Sequence, residues 1–199
     1  GRLFDSLKVI NKYDSTDFIF IGDNGNTAVT AQISDTSRAK GTVYQYGIHV
    51  PFIIAGPSVV QPGRVSSQLV NVVDIFATTL ELMGDTAWRN NIPTNKPVDT
   101  KSIVPILKNK NVAIRPWAFS ENFKLIPDES DAKAIRNLDY KIIKFDNGKE
   151  EFYHLATDPG ELNNLLTGNM NAEAITNYQY LCASLSSLLG STAFCNASL

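Results

Sequence analysis

The stretch DFIFIGDNG, residues 17–25, decides the fold expected for this chain. Its continuous apolar run is typical of a strand that is covered on both faces in a parallel sheet. A second run of this kind, PFIIA at residues 51–55, follows a long polar loop and predicts a second strand of the same sheet. Because open α/β sheets bind ligands at the carboxyl ends of their strands, Asp23 and Asn24 lie at the predicted ligand edge.

The pattern of the chain changes after Pro116. Before it, apolar residues at helical spacing predict helices at 3–13 and 72–83, the second ending at Gly84. After it, short apolar segments predict an antiparallel sheet, and an amphipathic stripe predicts a closing helix that ends at Gly190. The predicted strands are residues 117–121, 132–136, 140–145 and 151–154, the last two joined by the turn DNGK at 146–149.

Composition argues against several classes of partner. The chain has 199 residues, with 18 basic and 20 acidic side chains and a formal net charge of −2. This balance gives no electrostatic basis for binding nucleic acid or an anionic membrane. No apolar run reaches the roughly 20 residues that cross a bilayer. We therefore predict no nucleic-acid partner and no membrane span.

The cysteines and histidines leave the disulfide undecided and argue against a zinc site. Cys182 and Cys195 can form a disulfide in an oxidising compartment, and a buried thiol with a separate tail thiol is the equally weighted alternative. The only histidines are His49 and His154, which argues against a zinc site built from His and Cys.

The tripeptide Asp-Asn-Gly occurs twice and provides its own control. At 146–148 it lies between two predicted strands and is interpreted as a turn. At 23–25 it follows a buried strand, where Asp and Asn oxygens are suitable ligands for Ca²⁺ or Mg²⁺. A turn or helix-capping role is the alternative there. Lys40 on the following loop could contact an anion at this site, with a solvated side chain as the alternative.

Several motifs in order resemble the sulfatase family of the alkaline phosphatase superfamily. The segment KGTVYQYGIHVP at 40–51 is similar to the family pattern K-G-T-x-Y-E-G-G-x-R-x-P. The resemblance extends over nearly the whole chain. The other motifs that carry it are FIGDNG at 20–25, VDIFATTLELMG at 73–84, DTKSIVP at 99–105, YKII at 140–143, FYHL at 152–155 and DPGELNNL at 158–165.

The resemblance implies a fold and a site. The fold would be α/β, with residues 1–112 forming part of an alkaline-phosphatase-like α/β/α sheet domain and 113–199 a small antiparallel sheet with a closing helix. Asp23 and Asn24 would be two of four protein ligands of Ca²⁺, or of Mg²⁺ in some relatives. Lys40 would be catalytic, binding the sulfate oxygens and offsetting charge on the leaving oxygen. The family nucleophile is a formylglycine made from a Cys/Ser-x-Pro-x-Arg motif, which attacks sulfur as its hydrate.

The chain departs from the family pattern in two ways. Gln45, Tyr46 and His49 replace the usual Glu, Gly and Arg, and we interpret His49 as a loop-packing residue. Neither cysteine is followed by the Pro and Arg of the nucleophile motif. We therefore expect the C-terminal portion of a sulfatase, lacking the N-terminal half and inactive alone.

The expected function is hydrolysis of a sulfuric ester, with a carbohydrate as one candidate carrier of the sulfate. The alternatives are a phosphodiesterase or phosphonate monoester hydrolase of the same superfamily, or a non-catalytic sulfatase-like binding module. The expected partner is the N-terminal half, or a second copy docked through an uncovered apolar sheet surface around Phe18, Phe20, Phe52 and Ile54. The resemblance implies a periplasmic or secreted location.

Overall fold

The computed structural model describes residues 1–33, 35–190 and 195. It contains two compact units, one of residues 1–22 with 51–115 and the other of residues 23–50 with 116–199. The predicted boundary between residues 112 and 113 stays a prediction. In chain order the elements are α1 (Arg2–Val9), β1 (Phe18–Ile21), α2 (Gln45–Ile48), β2 (Phe52–Ala55), α3 (Asp74–Leu82), α4 (Val104–Leu107), β3 (Ala118–Asn122), β4 (Ala132–Arg136), β5 (Tyr140–Phe145), β6 (Glu150–His154) and α5 (Ala172–Leu189). Short 3-10 turns lie at Tyr13–Ser15, Thr36–Arg38, Trp88–Asn91 and Leu165–Thr167.

Strands β1 and β2 pair antiparallel, which corrects the parallel arrangement predicted from their apolar runs. The backbone N–H of Gly22 donates to the carbonyl of Pro51 at 3.0 Å, so the chain returns beside the point where it left the strand. A parallel connection would instead have to cross back to the opposite end of the sheet. A continuous apolar run reports how well a strand is covered and carries no information about its direction.

The apolar surface predicted around this strand pair is also corrected. Phe20 and Ile53 face each other across the two strands and are 62% and 56% exposed. Phe52 and Ile54 lie on the opposite face and are half-buried. Phe18 lies on the same face as Phe20 and is also half-buried. Because side chains alternate along a strand, the antiparallel register exposes Ile53 and turns its two neighbours away.

A buried carboxylate organises the rest of the first unit. Asp74 at the start of α3 is fully buried and forms an ion pair with Arg115. Its oxygens also accept backbone N–H groups from Asn71 and Lys101, each at 2.8 Å. The pair therefore ties the beginning of α3 to two separate loops, and breaking one partner of such a pair leaves a buried charge uncompensated.

The second unit contains a four-stranded antiparallel sheet in the order β3-β4-β5-β6, with α5 packed on one face. The predicted strands 132–136 and 140–145 coincide with β4 and β5, and Gly148 has the positive φ of 91° expected for the turn between β5 and β6. The buried apolar residues between sheet and helix are Ile135, Tyr140, Ile142, Phe152, Ala174, Tyr178, Leu181, Cys182 and Leu185.

Helix α5 is the predicted closing helix, and it ends at the predicted glycine. The Asn171 side chain accepts the N–H of Ala174 at 2.8 Å, and the helix ends at Gly190 in the left-handed conformation. Cys182 on α5 forms a disulfide with Cys195, with 5.9 Å between their Cα atoms. Among the described residues, no helix is both long and apolar enough to cross a membrane.

Candidate active site

The structure joins the two segments that carry the predicted site residues. The loop at residues 23–26 contacts residues 40–48, which we call the Lys40 segment. The N–H of Gly25 donates to the carbonyl of Gly47, and the N–H of Lys40 donates to the carbonyl of Asn26, both at 2.9 Å. These two hydrogen bonds bring Asp23 and Asn24 onto a stretch of backbone adjacent to that of Lys40.

Gly25 makes this close approach sterically possible, and Gly47 allows the Lys40 segment to fold tightly on itself. A Cβ atom on Gly25 would lie 1.8 Å from the carbonyl oxygen of Tyr46, and one on Gly47 would lie 2.3 Å from that of Thr42. The neighbours are backbone atoms, which cannot move aside as a flexible side chain could. The glycine of the first Asp-Asn-Gly is therefore required for close packing, whereas Gly148 in the second is in open space.

The three predicted site residues present polar groups at or near the surface. Asp23 and Lys40 are exposed and Asn24 is half-buried. The Asp23 Oδ1 atom accepts the backbone N–H of Asn24 at 3.0 Å. One carboxylate and one amide oxygen form a hard donor set that fits part of a Ca²⁺ or Mg²⁺ shell. Among the described residues, no group of three or more His, Cys, Asp or Glu side chains could hold a metal ion.

A buried carboxylate that sequence patterns did not identify holds the middle of the Lys40 segment in place. Glu151 on β6 accepts the hydroxyl of Tyr44 at 2.6 Å and that of Tyr153 at 2.8 Å. Burial raises the pKa of Glu151, but hydrogen bonds from Lys149 and from these two phenols outweigh it and leave the pKa below its ordinary value. Burial, together with the hydrogen bond to Glu151, raises the pKa values of Tyr44 and Tyr153.

Arg38 packs beside the same phenols. Its guanidinium lies 4.7 Å from the centre of the Tyr44 ring and 5.9 Å from that of Tyr153, within the range of a cation–π contact. Its Nε donates to Asp35 at 2.9 Å, and Asp35 also accepts the N–H of Ser37 at the start of a 3-10 turn. This turn leads into Lys40 and orders the chain before it.

A fully buried ion pair lies behind the Lys40 segment. Lys141 on β5 and Glu161 after β6 are both 0% exposed, with 2.6 Å between Lys141 Nζ and Glu161 Oε1. Burial lowers the pKa of Lys141 to about 8, although the charge of Glu161 acts in the opposite direction. Sequence reasoning noted the motifs YKII and DPGELNNL that contain these residues and did not assign them a role. For Lys141 the signal was a charged residue next to apolar residues in the predicted strand at 140–145.

The far end of the Lys40 segment borders a cavity of about 430 Å³ within the second unit. Its polar lining comes from Gln45, Tyr46, His49 and Arg136, so the three residues that depart from the family pattern lie together at one cavity. Arg136 donates to the carbonyls of Asn137 and Leu138, at 2.8 and 2.6 Å respectively. His49 is exposed and borders this cavity, and its expected loop-packing role stays a prediction.

The chain is similar in sequence to known sulfatases. The ulvan-active sulfatase of Formosa agariphila is 29% identical over 154 residues, which make up 75% of this chain and 27% of that protein. The extracellular sulfatase SULF-1 homolog of Drosophila melanogaster is 28% identical over 114 residues, or 57% of this chain and 9% of that protein. The chain thus spans about a quarter of the first relative and less of the second, and its relatives include an extracellular sulfatase.

Solved structures share its fold. The protein BT4656, solved in complex with its substrate D-glucosamine-2-N,6-O-disulfate, matches with a TM-score of 0.74 and 24% identity over 96% of this chain and 37% of that one. The phosphonate monoester hydrolase of Agrobacterium radiobacter matches with a TM-score of 0.69 and 24% identity over 96% and 38%. These likenesses show that this region has the same fold, antiparallel sheets with helices, as the corresponding parts of those two proteins.

The sequence model of one family covers most of the chain. The N-sulphoglucosamine sulphohydrolase C-terminal family matches residues 38–186, from just before Lys40 to near the end of α5. The match includes the Lys40 segment, both members of the buried ion pair and the whole four-stranded sheet. The chain belongs to this family of sulfatase C-terminal domains.

Proposed function

We propose that this chain is the C-terminal part of a sulfuric-ester hydrolase and contributes Asp23, Asn24 and Lys40 to its divalent-metal and sulfate site. The observation that carries the proposal is the pairing of the 23–26 loop with the Lys40 segment through two backbone hydrogen bonds. That pairing keeps a hard-cation donor pair and an ammonium group on neighbouring backbone, as recognition of a tetrahedral oxyanion requires.

The roles follow from the donor chemistry. Asp23 and Asn24 would hold a Ca²⁺ or Mg²⁺ ion, which when bound supplies positive charge at the sulfate oxygens. Two side chains provide only a minority of the roughly six to eight oxygens that Ca²⁺ takes. The remaining ligands and the formylglycine nucleophile belong to our proposal for the whole protein. Lys40 would bind a sulfate oxygen and offset the charge that develops on the leaving oxygen.

The cavity beside the Lys40 segment suits the remainder of a sulfated carbohydrate. Gln45, His49 and Arg136 provide hydrogen-bonding groups around its rim, and Leu138 and Leu155 provide apolar surface for a sugar ring. We propose that the protein acts outside the cytoplasm, in the periplasm or after secretion. The Cys182–Cys195 disulfide supports an oxidising compartment.

The metal part of the proposal is tested with Mn²⁺ as a paramagnetic probe. In NMR spectra of the 199-residue chain, substoichiometric Mn²⁺ should broaden the amide signals of Asn24 and Lys40 more than those of the 146–148 turn. Asp23→Ala should abolish the selective broadening. Asp146→Ala, in the second Asp-Asn-Gly, is the matched control and should leave the broadening unchanged. Equal broadening of both tripeptides would refute a metal site at Asp23 and Asn24.

The catalytic part is tested in the full-length protein. Sulfate esters should be hydrolysed in preference to phosphonate monoesters and phosphodiesters, and Lys40→Ala should depress turnover while the protein remains folded. Preference for a phosphorus substrate would favour the superfamily alternative, which the fold alone does not distinguish. A full-length protein that binds sulfated sugar without turnover would favour the non-catalytic module. The isolated chain should show no aryl sulfatase activity.

A further inference from the structure

We propose that Lys141 and Glu161 are positioning residues, which fix the backbone that presents Lys40 from behind. The proposal rests on the proposed role of Lys40, but its geometric part can be tested independently of sulfate. It assigns a task to the YKII and DPGELNNL motifs, whose charged residues the candidate site does not otherwise use.

The two side chains form hydrogen bonds to the Lys40 segment from opposite sides of one residue. Lys141 Nζ donates to the carbonyl of Val43 at 2.5 Å, and Glu161 Oε2 accepts the N–H of Gln45 at 2.5 Å. Between them, the Tyr44 hydroxyl donates to Glu151 at 2.6 Å. Three consecutive residues are thus bound by three charged groups of the C-terminal sheet region, at sequence separations of 98, 107 and 116.

Because both side chains are fully buried, this ion pair is not simply a stabilising surface contact. Both side chains are 0% exposed, and desolvating two charges costs about as much as their attraction returns. A buried pair is therefore weak evidence for stability alone. Here each member forms a further hydrogen bond to the main chain of the Lys40 segment, so the pair determines where that backbone lies.

The local backbone at Glu161 points to the same task. Glu161 has a positive φ of 56°, a conformation that non-glycine residues adopt at an energetic cost. Asp158 supports it by accepting the N–H of Glu161 at its carbonyl and those of Leu162 and Asn163 at its carboxylate. The turn is constrained so that a carboxylate reaches the Gln45 N–H.

The experiment is hydrogen–deuterium exchange on the 199-residue chain with Lys141→Met and Glu161→Gln. Each variant should accelerate exchange of residues 42–48 by about tenfold or more, as loss of a charged hydrogen bond predicts. The matched control is Lys144→Met on the same strand, because Lys144 pairs with Glu150 at 2.5 Å, outside the Lys40 segment. It should leave exchange of 42–48 unchanged.

The double variant Lys141→Met with Glu161→Gln guards against global unfolding, because it leaves no unpaired buried charge. It should fold and still show faster exchange confined to residues 42–48. Exchange that rises uniformly across β4, β5 and α5, or rises at 42–48 no more than with Lys144→Met, would overturn the positioning role.

A second readout separates this inference from the proposed function. Inorganic sulfate is titrated while the Lys40 side-chain NMR signals are followed in the wild type and in Lys141→Met. A sulfate affinity that falls several-fold in Lys141→Met, and not in Lys144→Met, supports positioning of Lys40. If sulfate leaves the wild-type signals unchanged, sulfate binding by this chain fails, while the exchange result still decides whether the pair holds the backbone. Unchanged affinity in Lys141→Met, with clear wild-type binding, overturns the link to Lys40.

Discussion

Replacing Gly25 by Ala should detach the candidate metal loop from the Lys40 segment. The added Cβ would lie 1.8 Å from the Tyr46 carbonyl oxygen and 2.9 Å from the Gly47 Cα. Both neighbours are main-chain atoms, so the clash is relieved only if the two segments separate. Separation breaks the hydrogen bond from Gly25 to Gly47 and strains the neighbouring one from Lys40 to Asn26.

The cost can be estimated from these contacts. Two backbone hydrogen bonds contribute about 1 kcal/mol each, and residual overpacking adds about 1 kcal/mol or more. The pairing should therefore be weakened by about 3 kcal/mol, enough to raise the open population of the segment by about two orders of magnitude. The three atoms nearest this Cβ belong to Tyr46 and Gly47, so the remainder of the second unit should keep its stability.

Gly148→Ala is the matched control, because it changes the same tripeptide in a different environment. Among the described residues, no atom beyond Gly148 and its two chain neighbours lies within 4 Å of a Cβ there, but the positive φ of 91° is costly for alanine. The expected penalty is about 1–2 kcal/mol, and it should affect the β5–β6 turn. Hydrogen exchange resolved along the chain distinguishes the two variants. If Gly25→Ala leaves the amides of Gly25 and Lys40 as protected as in the wild type, the steric argument is refuted.

Three further predictions concern ionisation and the disulfide. The pKa of Glu151 is held below its ordinary value, so its contribution to stability is present above the unfolded-state pKa, about 4.3, and is lost as pH falls. In urea denaturation, Glu151→Gln should therefore weaken the dependence of the free energy of unfolding on pH in the acid range. An unchanged dependence on pH contradicts this prediction. Tyr44 and Tyr153, whose pKa values are raised, should not ionise in ultraviolet titration near pH 10, the ordinary range of tyrosine; Tyr44→Phe should leave the signal there unchanged, and a smaller signal contradicts it. Replacing Cys182 and Cys195 by Ala should lower the free energy of unfolding by about 2 kcal/mol; equal stability in reduced and oxidised wild type would show that the disulfide contributes nothing.

Local patterns predicted the second unit well. The strands 132–136 and 140–145, the Asn-Gly turn and the end of α5 at Gly190 all depend on residues within a few positions of one another. Short-range signals of this kind are sufficient when a strand pairs with its neighbour in sequence. The predicted direction of β2 was wrong, because that direction depends on the path of the nearly thirty residues that connect β1 to β2.

The candidate site was predicted in part, for a related reason. Motif order identified Asp23, Asn24 and Lys40, and their roles stay predictions. The buried contacts of Glu151 and Glu161 with the Lys40 segment join residues more than a hundred positions apart. A single sequence contains no spacing rule for such pairs. A charged residue next to apolar residues in a predicted strand, as at Lys141, was the usable signal, because a charge that becomes buried requires a partner.

The long separations around Tyr44 and Gln45 also impose an order of events on synthesis. The chain is made from its N-terminus, so residues 40–48 leave the ribosome more than a hundred residues before the glutamates that bind them. Until Glu161 is available, this stretch cannot gain the hydrogen bonds that offset the entropy of ordering it. The segment that we expect to bind substrate is therefore among the last to become ordered. If translation stops before residue 161, we expect the released chain to lack an ordered Lys40 segment.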